Sequence, residues 1–373
     1  MRGSRAARRP PRRAPSPGVE GPVWRPANGV SEGESRMKVL AIEGPRRSAL
    51  HEVTTPRPVG DWALVRVTCA PMCTEFKGYR EGRVSEGLGH EAVGVVEAVA
   101  QEGPVQPGNR VVVMPQYPCG QCTLCLTGDY IHCEHSPDFV AKTGGDTGQA
   151  TMAQYLIKPM SLLVPIPDEM PDEHAGMACC GLGPTFSACD RLGLSGMDTV
   201  LITGLGPVGL GGVINAKHRG SRVIAIDPVA YRRELAASLG ADHVLEPTDV
   251  TLEHIRDLCR GRGVDKAIEC AGVAAAQRLC IDALRRRGEM AFVAEAGDLV
   301  VKVSQDLIRK GLTVHGVWHY NMGRTPAMME QITEMGVQLD QLITHRFPMS
   351  GADEAFELQM TGECGKVVLD PWS

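Results

Sequence analysis

The sequence predicts an α/β protein made of a mostly antiparallel β domain and a doubly wound, parallel-sheet domain. Three observations carry the prediction. From Met37 to about Pro165 the chain consists of short apolar runs broken by Gly and Pro. From about Cys180 strand-like runs alternate with helical stretches, the rhythm of a parallel sheet covered by helices on both faces. Within that second region Gly204, Gly206 and Gly209 form G-x-G-x-x-G between a strand and a helix. A length of 373 residues leaves room for two domains.

Residues 1–36 stand apart, being rich in Arg and Pro and nearly without apolar residues. Such a segment cannot bury enough surface to order itself. An Arg-rich stretch also suits a targeting presequence, but the prolines oppose the amphipathic helix. The expectation is an overextended start, with the folded protein beginning at Met37, where "MKVLAIEG" opens as a strand. The clearest strands after it are 63–69, 92–99 and 110–115, and "PVQPGNRVVV" reads as a turn feeding the last of these. The second region reads as "TVLITG", helix, "RVIAID", helix, "HVL", helix, "KAIECAG", helix, "EMAFVAE", helix, "LTVHGVW". The final "CGKVVLDPW" is a β run expected to return to the first domain.

Composition narrows the function. Hydrophobic residues make up 43% and charged residues 22%, ordinary for a soluble globular protein. A net charge of −5 gives no reason to expect nucleic acid or an anionic membrane as partner. No apolar run is long enough to span a bilayer. The 13 cysteines are an odd count, which favours metal ligation and buried thiols over complete pairing. The expected location is cytoplasmic.

Cys119, Cys122, Cys125 and Cys133 are spaced C-x2-C-x2-C-x7-C. Four thiolates so close together can close a tetrahedral zinc shell, and a shell with no open position is structural. Disulfides are the alternative, disfavoured in a reducing compartment.

The glycine pattern predicts a dinucleotide site. The first glycine makes the tight turn, the second admits the pyrophosphate and the third lets helix and strand pack closely. Pro207 and Val208 complete the turn into the helix, whose free N–H groups and dipole favour an anion. Asp227 ends the next strand, where a carboxylate accepts from the ribose diol and repels a 2′-phosphate, so NAD is expected rather than NADP. Arg232 reads either as a cation along the adenosine side or as part of a solvated helix face.

A catalytic zinc needs three protein ligands and an open position. Cys73, His90 and one of Cys179 or Cys180 are the remaining candidates, although a lone His or Cys is more often structural.

Taken in order, strand-Cys, Gly-His-Glu, the four-Cys lobe, a late Cys and G-x-G-x-x-G resemble the zinc-dependent medium-chain dehydrogenase/reductase superfamily. The resemblance runs from about Met37 to the C-terminus. It implies a GroES-like catalytic domain over 37–180 completed by 319–373, a Rossmann coenzyme domain over 181–318, and two zincs per chain. It further implies Cys73 and His90 as catalytic ligands with Glu91 close to the metal. Counting back from Gly204 favours Cys180 over Cys179 as the third ligand, with Phe186 at a position aromatic or aliphatic in relatives.

The implied activity is reversible oxidation of a secondary alcohol, polyol or sugar-like compound by NAD, in a homodimer or homotetramer. The rivals are a carbonyl or enone reductase and a non-catalytic nucleotide-binding relative. Relatives carry Ser or Thr two residues after the first Cys to pass on the alcohol's proton. Here that residue is Glu75, so Glu75 is the expected general base, its pKa raised by desolvation. The plainer reading has it facing solvent or paired with Lys77 or Arg80. Thr74 and Tyr79 are the further relay candidates.

Overall fold

The computed structural model describes residues 35–373. The extension expected over 1–36 lies outside the described residues except for Ser35 and Arg36. Arg36 already opens the first strand, Arg36–Gly44, which pairs antiparallel with Arg47–Thr54.

The β domain is built around Trp62–Pro71. This strand pairs antiparallel with Ala92–Val99, with Tyr155–Pro159 and with the C-terminal strand Lys366–Asp370. Its Val-rich sequence is buried along nearly its whole length, as suits a central strand. Arg110–Val113 and Leu163–Pro165 extend the sheet on one side. Ile343–Pro348, parallel to Lys366–Asp370, closes the other. The chain's last strands are thus hydrogen-bonded into its first sheet.

The second sheet has six strands, all parallel: His243–Leu245, Arg222–Ile226, Thr199–Thr203, Val264–Glu269, Leu284–Phe292 and Thr313–Gly316. Its inner strands are apolar because helices cover both faces. The chain direction across the sheet reverses between Thr199–Thr203 and Val264–Glu269. At such a switch point the loops beyond the carboxyl ends diverge and leave a crevice for a ligand. Helices Pro207–His218, Ala230–Ser238, Leu252–Leu258 and Ala274–Ala283 provide the crossovers. One expected helix is absent. Between Leu284–Phe292 and Thr313–Gly316 there is only a π-helical turn, Val303–Ile308. The stretch before it, "EAGDLVV", holds a glycine and adjacent β-branched residues and lacks an apolar helical period.

The two parts share one core. Cys69, Val93, Val112 and Met114 of the first sheet join Phe186, Ile202, Leu210 and Val213 in a single apolar cluster. A second cluster packs Val65, Val67 and Met72 against Phe356 and Val367, fixing helix Ala352–Thr361 to the β domain. Among the described residues no helix is long and apolar enough to cross a membrane.

Where helix Pro207–His218 crosses the segment before Gly183, the backbones touch. A Cβ on Gly211 would lie 1.9 Å from the Gly181 carbonyl oxygen, and no flexible side chain is there to give way. Gly211→Ala is expected to lower stability by about 2–3 kcal/mol, the cost of overpacking a tight contact. The measurement is the denaturant midpoint, which should fall at unchanged m-value.

Candidate active site and metal centres

The cysteine lobe follows Arg110–Val113. Its sulfurs approach one another as a shell would require: Cys122 to Cys125 is 3.4 Å, while Cys119 to Cys125 and Cys122 to Cys133 are each 3.9 Å. A tetrahedron of ~2.3 Å zinc–sulfur bonds has edges of ~3.8 Å, so the four thiols fit zinc. Backbone N–H groups already donate to the sulfurs, from Cys122 to Cys119 at 3.3 Å and from Cys119 and His135 to Cys133 at 3.3 and 3.4 Å. Such bonds stabilise thiolates and hold them in orientation.

A second cluster gathers residues distant in sequence. The ligand atoms of Cys73, His90, Glu91 and Cys180 all lie within 4.8 Å of one another. Cys73 follows Trp62–Pro71, His90 and Glu91 precede Ala92–Val99, and Cys180 lies in the turn before helix Gly183–Arg191. His90 Nε2 is 3.2 Å from Cys180 Sγ. Cys179 turns the other way, its thiol 3.5 Å from the Val113 carbonyl, so Cys180 is the member that joins the cluster. The Cys73 thiol is held well below its ordinary value by hydrogen bonding with Cys180, and with His90, against burial. Two sulfurs and an imidazole converging on one partly buried point are the donor set of an open zinc site.

Around these ligands the polar groups are paired. Glu75 Oε1 lies 2.9 Å from His90 Nδ1, and its other oxygen accepts from the Cys73 N–H at 2.8 Å. This corrects the general-base expectation, because both carboxylate oxygens are engaged. Burial pushes Glu75 up, but the hydrogen bond and charge of His90 outweigh it, so its pKa is lowered rather than raised. Nor does Glu75 face solvent. It orients His90, as carboxylates do behind metal-bound imidazoles. Tyr79 is buried against Phe356, with its hydroxyl 3.4 Å from Glu357, whereas Thr74 is exposed beside Cys73.

Glu91 is fully buried. It accepts from the Cys180 N–H at 3.1 Å and meets Lys366 Nζ at 2.7 Å. Burial pushes the Glu91 carboxyl up to about 7 against the pull of Lys366. Burial lowers Lys366 in turn, but Glu91 and the thiols of Cys73 and Cys180 more than offset it and hold the ammonium above its ordinary value. Sequence reasoning missed Lys366; its signal is a lone cation within the apolar run "CGKVVLD". It also missed His319, whose Nε2 lies 3.5 Å from Cys180 Sγ. Burial, with His90 and Lys366, lowers His319 to about 3.

At the switch point the three glycines differ in what surrounds them. Gly204 has φ 81°, and a Cβ there would lie 2.5 Å from Ala271. A Cβ on Gly209 would lie 1.8 Å from the Gly204 carbonyl. At Gly206, by contrast, a Cβ would meet nothing within 4 Å. That open backbone beside the start of helix Pro207–His218, where Pro207 and Val208 stand, is where a pyrophosphate fits. Asp227 is buried, and its oxygens accept from the N–H groups of Leu205 at 2.6 Å and Val229 at 2.8 Å. It thereby clamps the glycine turn to the neighbouring strand. Arg232 is neither solvated nor free, since its Nε donates to the Gly362 carbonyl at 3.0 Å and braces the C-terminal segment.

Residues 60–168 match the family model described as alcohol dehydrogenase GroES-like domain, and residues 207–334 that described as zinc-binding dehydrogenase. Over 338 residues the chain is 30% identical to an uncharacterised zinc-type alcohol dehydrogenase-like protein, YphC, of Escherichia coli, covering 86% of this chain and 95% of that protein. It is 30% identical over 352 residues to L-threonine 3-dehydrogenase of Pyrococcus horikoshii, covering 90% and 99%. Alcohol dehydrogenase TADH from Thermus sp. ATN1 superimposes with a TM-score of 0.81 at 28% identity, covering 89% of this chain and 99% of that one.

Two expectations follow. Cys122→Ser opens a closed shell that contributes folding free energy, so it should unfold or aggregate the protein, whereas Cys73→Ser should leave it folded with one zinc fewer. Thermal melts with metal analysis separate the two, and equal destabilisation would contradict this division of roles. Lys366→Met strands the Glu91 charge and should cost about 3–5 kcal/mol in equilibrium unfolding, the range for breaking one side of a buried pair.

Proposed function

The chain belongs to the zinc-binding dehydrogenase family, and we propose that it oxidises a secondary alcohol, polyol or sugar-like compound reversibly with NAD. The observation that carries this reading is the convergence of the ligand atoms of Cys73, His90 and Cys180 within 4.8 Å of one another, with Glu91 behind them. A nucleotide-binding protein without chemistry has no need of that donor set.

Cys73, His90 and Cys180 would hold the catalytic zinc, and Cys119, Cys122, Cys125 and Cys133 the structural one. The bound metal would act as a Lewis acid that polarises the substrate hydroxyl and lowers its pKa. NAD would accept the hydride, a chemistry that belongs to the coenzyme. The protein's own part is positional. Glu75 holds the His90 ring through Nδ1. Glu91, paired with Lys366, holds the Cys180 backbone. Thr74, exposed next to Cys73, is the hydroxyl left to carry the alcohol's proton outward, since the Tyr79 hydroxyl faces Glu357.

Gly206 and the first turn of helix Pro207–His218 would receive the pyrophosphate. Asp227 would disfavour a 2′-phosphate, and Arg232 would border the adenosine side from its brace on Gly362. L-threonine 3-dehydrogenase among the relatives supports a secondary alcohol as substrate class. The edge strand Thr313–Gly316, followed by the half-exposed Trp318, would pair between subunits of a homodimer or homotetramer. All 13 cysteines are free thiols, which supports a cytoplasmic setting.

The test is a panel of polyols and amino alcohols assayed for coenzyme reduction on protein carrying about two zincs per chain. We expect turnover with NAD at a higher kcat/KM than with NADP. A higher value with NADP would overturn the role given to Asp227, and a single zinc with no turnover would overturn the catalytic reading.

A further inference from the structure

His319 stands out on three counts. Among the described residues it is one of five non-glycine residues in the left-handed region, at φ 51°. It is 4% exposed. Its Nδ1 is buried with no hydrogen-bond partner among the described residues, while Nε2 lies 3.5 Å from Cys180 Sγ.

The strained backbone is imposed from both sides. Before it, the Val317 N–H donates to the Phe292 carbonyl at 3.0 Å, continuing the parallel sheet. After it, Tyr320 is buried against Phe186. Asn321 Nδ2 donates to the Thr127 carbonyl at 2.8 Å and to Asp129 at 3.0 Å, both in the cysteine lobe. The segment thus bridges the coenzyme sheet and the zinc lobe, and the bend at His319 delivers its ring to the catalytic cluster. Strain held in place by its surroundings gathers at functional sites.

The tautomer follows from the same contacts. A neutral imidazole has one N–H. Placed on Nδ1 it would be a buried donor with no acceptor, which native structures rarely tolerate. Placed on Nε2 it faces sulfur. We propose that His319 is a positioning residue of the open metal centre, its Nε2–H donating to Cys180 Sγ and fixing that thiolate in its ligating orientation. The proposal rests on the reading of Cys180 as a zinc ligand. Hydrogen bonds to ligand atoms of this kind typically change metal affinity by ~10–100-fold.

The experiment compares the full-length wild type with His319→Gln, which keeps a donor at the reach of Nε2, and with His319→Asn, which tolerates the left-handed backbone but is too short. Zinc release to a chelator is followed, together with the sulfur-to-metal charge-transfer band of the cobalt-substituted protein. We expect the Asn variant to lose the less tightly held zinc ~10–100-fold more readily, with the band moved to longer wavelength, and the Gln variant to restore both. His319→Gly, which suits the backbone, should retain its fold and the structural zinc and share the Asn defect. A purely structural role predicts instead that the variants differ in melting temperature and not in the cobalt band. An Asn or Gly variant with wild-type zinc retention and spectrum would overturn the proposal. A wild type that binds only one zinc would overturn the assignment of Cys180 itself.

Discussion

The ion pair between Glu91 and Lys366 ties the end of the chain to its reactive centre. Both side chains are wholly buried, and a charge in that position is tolerated only when it is paired. Lys366 lies on the last strand, which hydrogen-bonds to Trp62–Pro71 just before Cys73. Glu91 follows His90 and holds the backbone of Cys180. One interaction therefore fixes the relative positions of three ligand-bearing segments. The last strand thereby supplies a cation beside the Glu91 carboxylate and the thiols of Cys73 and Cys180.

The same logic extends outward. His90 is held by Glu75 on one nitrogen and faces Cys180 with the other. Cys180 in turn lies between His90 and His319. His90 and Cys180 are thus each held by neighbours that are themselves hydrogen-bonded or packed. The closed cysteine lobe relies instead on backbone N–H groups within one short loop. That contrast suits the division of labour, because an open site must keep its geometry without a fourth protein ligand.

At the other side of the cleft the constraint is steric. Gly204, Gly209 and Gly211 stand where backbone meets backbone, and Gly206 stands where nothing meets it. Asp227 bonds the turn to the adjacent strand. Its carboxylate therefore shapes the glycine turn itself, a role that the sequence pattern does not show.

By itself the sequence determined what short-range chemistry determines. The C-x2-C-x2-C-x7-C spacing confines four thiols to one lobe, and G-x-G-x-x-G fixes a turn between strand and helix. The apolar rhythm specifies which strands lie in a parallel sheet. These features are legible because their partners are close in the chain. The parts that failed or stayed open depend on distant segments. Glu75 reads as a base in the sequence, but His90 and the Cys73 N–H occupy its two oxygens. The choice between Cys179 and Cys180 depended on which side of one turn faces the cluster. The lone cation of Lys366 in an apolar strand does not name its partner, and His319 reads only as part of a loop. Only the tertiary structure decided those roles, because burial removes water as a partner and forces each polar group to find its complement wherever the fold brings one.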